Sequence, residues 1–242
     1  MLSPQTTQRL GSLFKNQDHY EPNLGIADQL AAKNIIMVVG ATGEGKNTVM
    51  DKVATLDERF KVAGTRTSRE PRKDDDKDRY TYWENSDTGL IPVLEAIDTR
   101  ELVQYAVNPY AQLIYGSAIE DYPAVYNLAD VFSSAVRDFR RLGFKQALAI
   151  TLISQPHEWL ERFERRFPRG HEQRQARRDE AIESFTWSLS QRSSHYWVEN
   201  IDGKPEIAAQ AVIDIALGNS QGDQSCRQLA SKSLEAAWGI VL

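Results

Sequence analysis

Val39-Gly40-Ala41-Thr42-Gly43-Glu44-Gly45-Lys46-Asn47-Thr48 stands between the apolar run Ile35-Ile36-Met37-Val38-Val39 and a helix-permissive stretch at 49–56. Strand, glycine loop and helix in that order make a phosphate loop. The three glycines let successive backbone N–H groups turn inward around a phosphate. Lys46 sets an ammonium on the outer phosphates, and the helix start adds the positive end of its dipole. Such a lysine is ordinarily followed by Ser or Thr, whose hydroxyl binds magnesium. Here Asn47 follows, with the Thr48 hydroxyl one place on. A glycine-rich turn without a ligand is the bland alternative, and the strand context and the lysine argue against it.

Around this loop the chain has the dimensions of one large domain, or of a domain with a smaller insert, at 242 residues. A formal charge of −5 argues against a general nucleic-acid binder. One cysteine, Cys226, excludes an internal disulfide and a cysteine metal cluster. His19, His157, His171 and His195 are scattered without metal-ligand spacing, so no protein metal ligand is assigned. No apolar run approaches the ~20 residues of a membrane span. A signal-peptide pattern is lacking at the N-terminus, so a soluble cytoplasmic protein is expected.

Residues 1–33 are polar, with one helical face at Leu10, Leu13 and Phe14 and another at Ile26, Leu30 and Ala31. They read as an extension docked beside the first strand. A short strand at 60–64 leads into Thr65-Arg66-Thr67-Ser68-Arg69-Glu70-Pro71-Arg72. Two guanidinium forks on a proline-fixed turn, Arg69 and Arg72, suit a phosphate dianion. A charged turn is expected at 74–78, then a strand at Tyr80-Thr81-Tyr82-Trp83. Further on, 135–142 reads as a helix and 147–153 as a buried strand. Pro156 opens another helix. Residues 162–178 are rich in arginine and hold no lysine. They read as a mobile lid that closes on phosphates, or as a solvated basic helix pair. Helices follow at 179–192 and 205–217, then a polar linker and a short amphipathic tail at 229–242.

The glycine loop, the arginine turn and the aromatic strand together resemble guanylate kinase. So do Gln104-Tyr105-Ala106, Ile114-Tyr115-Gly116-Ser117, the strand ending Ser154-Gln155-Pro156, the pattern Trp159-x-x-Arg162-Phe163-x-x-Arg166, the pair Arg177-Arg178, and Tyr196-Trp197-Val198-Glu199-Asn200. The resemblance spans about 34–217. It implies an α/β P-loop kinase fold, a parallel sheet flanked by helices, with a small insert that binds a nucleoside monophosphate and a helical lid. The implied parts are an N-terminal extension (1–33), a core (34–64, 118–157, 179–217), the insert (65–117), the lid (158–178) and a C-terminal linker and tail helix (218–242).

Implied chemistry is transfer of the γ-phosphoryl group of ATP, with Mg2+, to GMP or dGMP. The loop, Lys46 and Asn200 would take ATP. Thr65, Arg69, Arg72, Tyr80, Gln104, Tyr115 and Ser117 would take the acceptor. Lys46, Arg69, Arg166 and Arg177 would stabilise the transferring group. Several residues depart from the family. Asn47 replaces the magnesium hydroxyl, Gln104 replaces the glutamate that reads guanine, and about two extra residues lie within 107–113. Where the family has an acidic strand, Ala129-Asp130-Val131-Phe132-Ser133-Ser134 puts serines in place of acids. Two alternatives stay open: a P-loop kinase of another acceptor (a different monophosphate or a ribose phosphate), and a catalytically weak guanylate-kinase-like binding module.

Overall fold

The computed structural model describes residues 2–72, 79–108, 111–192 and 195–241. The charged turn expected at 74–78 lies outside the described residues. The strands are β1 (Asn34–Val39), β2 (Phe60–Val62), β3 (Thr65–Thr67), β4 (Tyr80–Tyr82), β5 (Gln104–Asn108), β6 (Leu113–Ser117), β7 (Tyr126–Asp130), β8 (Gln146–Ile153) and β9 (His195–Glu199). The α-helices are α1 (Pro4–Asn16), α2 (Leu24–Leu30), α3 (Lys46–Leu56), α4 (Asp87–Asp98), α5 (Val136–Arg141), α6 (Pro156–Arg166), α7 (Arg174–Ser190), α8 (Pro205–Ala216) and α9 (Cys226–Trp238). Two compact units result. One comprises Met1–Asn34, Lys61–Asn127 and Asp138–Gln146; the other comprises Ile35–Phe60, Leu128–Arg137 and Ala147–Leu242.

A parallel five-stranded sheet in the order β2-β7-β1-β8-β9 is the frame of the phosphate-loop unit. β1 is central and every one of its residues is buried. A strand covered on both faces has no use for alternation, which is why Ile35 to Val39 reads as an unbroken apolar run. β8 pairs with β9 from Ala149↔His195 to Ile153↔Glu199. Helices α3 and α8 pack together, and α9 packs on α6 and α7. The tail helix therefore folds back and shares a core with Trp159, Phe163, Phe185, Ala230 and Ala237, all 0% exposed.

In the other unit a four-stranded sheet runs β4-β3-β6-β5. Its covered face packs Tyr105, Val107 and Ile114 against Leu90, Val93 and Ile97 of α4 and Leu10 and Leu13 of α1. Of the N-terminal residues, α1 docks on β5. The spacing of Leu10 and Leu13 gives α1 its apolar stripe, and polar contacts fix its seat. The Tyr105 hydroxyl donates to Leu13 O at 3.2 Å, the Tyr20 hydroxyl to Leu102 O at 2.8 Å, and Val107 N to Gln17 Oε1 at 2.8 Å. Among the described residues, no helix is long and apolar enough to cross a membrane.

Candidate functional site

The phosphate loop leaves the carboxyl end of β1 and ends where α3 begins at Lys46. Gly40 and Gly45 adopt positive φ, 151° and 79°. Side chains there would meet atoms as well as strain: a Cβ on Gly40 would lie 2.8 Å from Leu152 O, and one on Gly45 2.6 Å from Asn200 Nδ2. Lys46 Nζ donates to Gly40 O at 2.6 Å and Ala41 O at 3.3 Å, which holds the ammonium over its own loop.

Three side chains brace the loop from outside it. Asn200 Nδ2 donates to Glu44 O at 2.8 Å, Trp159 Nε1 to Thr42 O at 3.0 Å, and Ser154 donates to Glu44 Oε2 through both N and Oγ at 2.7 Å. Asn200, expected near the donor base, is 6% exposed and holds the loop backbone. Glu44 is completely buried. Burial pushes its carboxyl up to about 7, against the opposing pull of the Ser154 hydrogen bonds and of the Arg162 and Lys46 charges.

Asp130 ends β7, the neighbour of β1 in the sheet, and its carboxylate lies 3.7 Å from Lys46 Nζ. No site residue is expected on this strand from the sequence, where serines follow Asp130 in place of acids. That this strand lies beside β1 is visible only in the sheet order, so the local sequence carries no signal for Asp130. Glu180 of α7 also faces this region. Burial raises its pKa, while Lys46 and Arg177 lower it and Asp130 raises it further. Arg177 pairs with Glu180 at 3.4 Å. Asn47 and Thr48 are exposed at the start of α3.

The stretch expected to form a lid comprises α6, a connection and the first turn of α7. Trp159 and Phe163 anchor α6 in the core. Arg166 is at the exposed end of α6, 5.5 Å over the Phe167 ring. Arg174 is buried and grips Glu164 through Nη2 at 2.7 Å and Nη1 at 2.9 Å. It also donates to Val241 O at 2.9 Å and to Phe167 O, tying the last turn of the chain to this region.

Strand pairing sorts the residues expected to take the acceptor. Partners in register point to the same face of a sheet, and alternate residues along a strand share a face. Gln104 pairs with Ser117, Thr67 with Tyr115, Thr65 with Tyr80 and Thr67 with Tyr82. Gln104, Ser117, Tyr115, Thr65 and Tyr80 therefore share one face, opposite the one covered by α1 and α4. Arg69 lies against that face, its guanidinium 4.8 Å from the centroid of Tyr80 and 5.7 Å from that of Tyr82. Its Nη1 donates to Glu70 O at 2.9 Å. Arg72 is exposed. Ser117 Oγ is 2.8 Å from the buried Tyr122 hydroxyl, so that hydrogen-bonding capacity is already shared. β5 and β6 pair without a break from Gln104↔Ser117 to Asn108↔Leu113.

A glycine loop leaving the central strand of a five-stranded parallel sheet, with a lysine at the next helix and an acid ending the adjacent strand, has one architectural reading. The chain has a P-loop kinase fold. No protein-family model matches it, and no curated protein matches it. Among solved structures it is similar to guanylate kinase from Anaplasma phagocytophilum, with 15% identity, 87% of this chain and 97% of that one covered, and a TM-score of 0.49.

Proposed function

We propose that the protein is a nucleoside monophosphate kinase that transfers the γ-phosphoryl group of ATP to GMP or dGMP, giving ADP and GDP or dGDP, in the cytoplasm. The observation that carries this reading is the meeting of Lys46, the phosphate loop and Asp130. A fold kept only to bind a partner has no use for that constellation. Phosphoryl transfer asks little covalent chemistry of a protein and much positioning and charge neutralisation.

The loop N–H groups and the α3 start would hold the donor phosphates, and Lys46 would neutralise charge on the outer ones. The residues fit a magnesium ion. Asp130 offers a carboxylate that is half exposed beside Lys46, suited to holding a hydrated Mg2+ through its waters. When bound, that ion would neutralise charge on the donor phosphates. On the acceptor face, Arg69 with the Tyr80 and Tyr115 hydroxyls would hold the monophosphate, and Gln104 would meet the base. Arg177 and Arg166 would add positive charge to the transferring group.

A second acceptor reading has its own support. Gln104, which would read the base, carries an amide, and it pairs with Ser117 in the strand register. An amide pairs with the adenine edge twice and with the guanine edge once. A coupled assay with ATP, magnesium and a panel of GMP, dGMP, AMP and UMP tests both readings. Turnover of a purine monophosphate that is lost in Lys46→Ala is expected. No turnover with any of the four overturns the kinase reading.

A further inference from the structure

We propose that Glu44 is a positioning residue whose proton is taken up when phosphate enters the loop, so that the neutral glutamic acid belongs to the nucleotide-bound form. This rests on the phosphate-loop reading above. Glu44 is part of the loop itself, between Gly43 and Gly45, yet its side chain is 0% exposed. Oε2 accepts two hydrogen bonds, from Ser154 N and Ser154 Oγ. Oε1 is buried with no hydrogen-bond partner. An ionised carboxylate wants every lone pair satisfied, and a buried oxygen left unpaired costs free energy. A protonated carboxyl needs less. It also brings no negative charge to a cradle built for anions.

The charged groups facing Glu44 are Arg162 from α6 and Lys46 from α3; Ser154, at the end of β8, and Asn200, after β9, are neutral. Arg162 has its own unsatisfied atoms, Nε and Nη2, and its Nη1 is 3.7 Å from Asp202. In the ligand-free protein Lys46 helps to keep Glu44 ionised, against burial, and the carboxyl titrates at about 7. Nucleotide phosphates bring several negative charges to the loop and claim the Lys46 ammonium. Both changes favour the neutral form. The proton comes from solvent; no bond other than the O–H on Glu44 is made or broken.

The sign of the pH effect follows from linkage. A group whose pKa rises on binding gives tighter binding at low pH. Affinity for phosphate is highest when Glu44 is already protonated. It falls by up to about tenfold per pH unit above about 7, until the pKa of the bound form is passed. This sets the phosphate loop in the physiological range as a proton-sensitive cradle, without a histidine.

Calorimetric titration of the full chain with magnesium ADP, in buffers of different ionisation enthalpy at about pH 8, tests the idea. Phosphate groups titrate near pH 6, so the nucleotide contributes little proton exchange there. The expected result is net uptake approaching one proton per ADP by the wild type. Glu44→Gln, which keeps an acceptor for Ser154, should show no uptake and an affinity flat between about pH 7 and 9. Ser154→Ala, which removes one donor to the ionised form, should move the wild-type profile to higher pH. Binding by the wild type without proton uptake, or uptake that neither substitution alters, overturns the proposal and leaves the phosphate-loop reading standing. No binding of ADP by the wild type at any pH overturns both.

Discussion

The Asp130 carboxylate stands 3.7 Å from the Lys46 ammonium, one at the end of β7 and the other at the start of α3. Lys46 is thereby held between its own loop carbonyls and an acid on the adjacent strand. If Asp130 holds hydrated magnesium, Asp130→Asn should lower kcat by about ten- to a hundredfold and raise the magnesium concentration needed for half-maximal rate. Lys46→Ala should cost about a hundredfold or more in kcat with the fold intact. Initial rates across a magnesium titration, with melting curves for both variants, check this. An Asp130→Asn enzyme with wild-type kcat and magnesium midpoint would remove Asp130 from the site.

The Arg69 guanidinium lies 4.8 Å from the Tyr80 ring centroid and 5.7 Å from that of Tyr82, on the face proposed to take the acceptor phosphate. A charge-assisted hydrogen bond of this kind is worth on the order of 1.5–3 kcal/mol, or roughly ten- to a hundredfold in affinity. Arg69→Ala should weaken monophosphate binding by that factor and leave ATP binding nearly unchanged. Arg72→Ala should act in the same direction, and less, because Arg72 is exposed. Separate titrations with each nucleotide decide it. A loss confined to ATP would reverse the assignment of donor and acceptor sides.

How much of this was legible in the sequence depended on distance along the chain. The loop, its strand and its helix are contiguous, and their chemistry could be read residue by residue. Gln104 and Tyr115 were singled out by resemblance and Tyr80 by its aromatic strand; only the strand register puts them with Thr65 on one face. Asp130 escaped because strand order is a non-local property: nothing near residue 130 says that β7 lies beside β1. The seat of α1 on β5 and of α9 on α6 and α7 escaped for the same reason. An amphipathic helix announces its apolar stripe and not the surface that covers it. Asn200 was assigned to a ligand because a strand-end amide suits many partners; only the fold shows its Nδ2 on the loop backbone.

Arg174 is the clasp of the α6–α7 region. It is buried, and it joins Glu164, the Phe167 carbonyl and the Val241 carbonyl. Removing a buried charged group that makes several hydrogen bonds costs about 3 kcal/mol. Arg174→Ala should therefore lower the Tm by several degrees and increase hydrogen exchange in α6, α7 and α9. Glu164→Gln should cost less, since Glu164 is 44% exposed. The hydrogen bond from Arg174 holds the Glu164 carboxyl below its usual range. Its stabilisation is full above the ordinary carboxylate pKa and is lost as pH falls through the lowered one. The Tm gap between wild type and Glu164→Gln should narrow below about pH 4. A gap constant from pH 7 down to that range would show that the ion pair contributes nothing.

Asn47 is the second residue of α3, directly after Lys46, and is exposed. A neutral carbonyl oxygen is a poorer magnesium ligand than water arranged by a carboxylate, so direct ligation by the protein at this position should be weak. Asn47→Ser should preserve the rate at saturating magnesium and raise it at low magnesium. The measurement is the ratio of rates at high and low metal in the two proteins. A large loss in Asn47→Ser at both concentrations would mean that the amide has a positive task, such as holding the start of α3.

Gln104 is the position most able to decide the substrate. It lies opposite Ser117 in the unbroken β5–β6 register, on the face it shares with Tyr115. Guanine presents two adjacent donors, its ring N–H and its amino group. An ionised glutamate accepts both; an amide has one acceptor and one donor, so either orientation sets one donor against another. An unsatisfied buried donor costs about 1–3 kcal/mol, or roughly ten- to a hundredfold in discrimination. Adenine presents an amino donor beside a ring acceptor, which an amide meets twice. Two neighbours bear on this outcome. The Ser117 hydroxyl is already engaged with Tyr122, which reduces what it can return to a guanine oxygen. Glu101, the nearest carboxylate in sequence, is exposed ahead of β5. Wild type should therefore accept AMP within about tenfold of GMP in kcat/KM. Gln104→Glu should raise the preference for GMP by roughly ten- to a hundredfold. Comparing kcat/KM for GMP, dGMP, AMP and UMP in both proteins tests it. A wild type already strict for GMP, and unmoved by the substitution, would show that the base is read elsewhere.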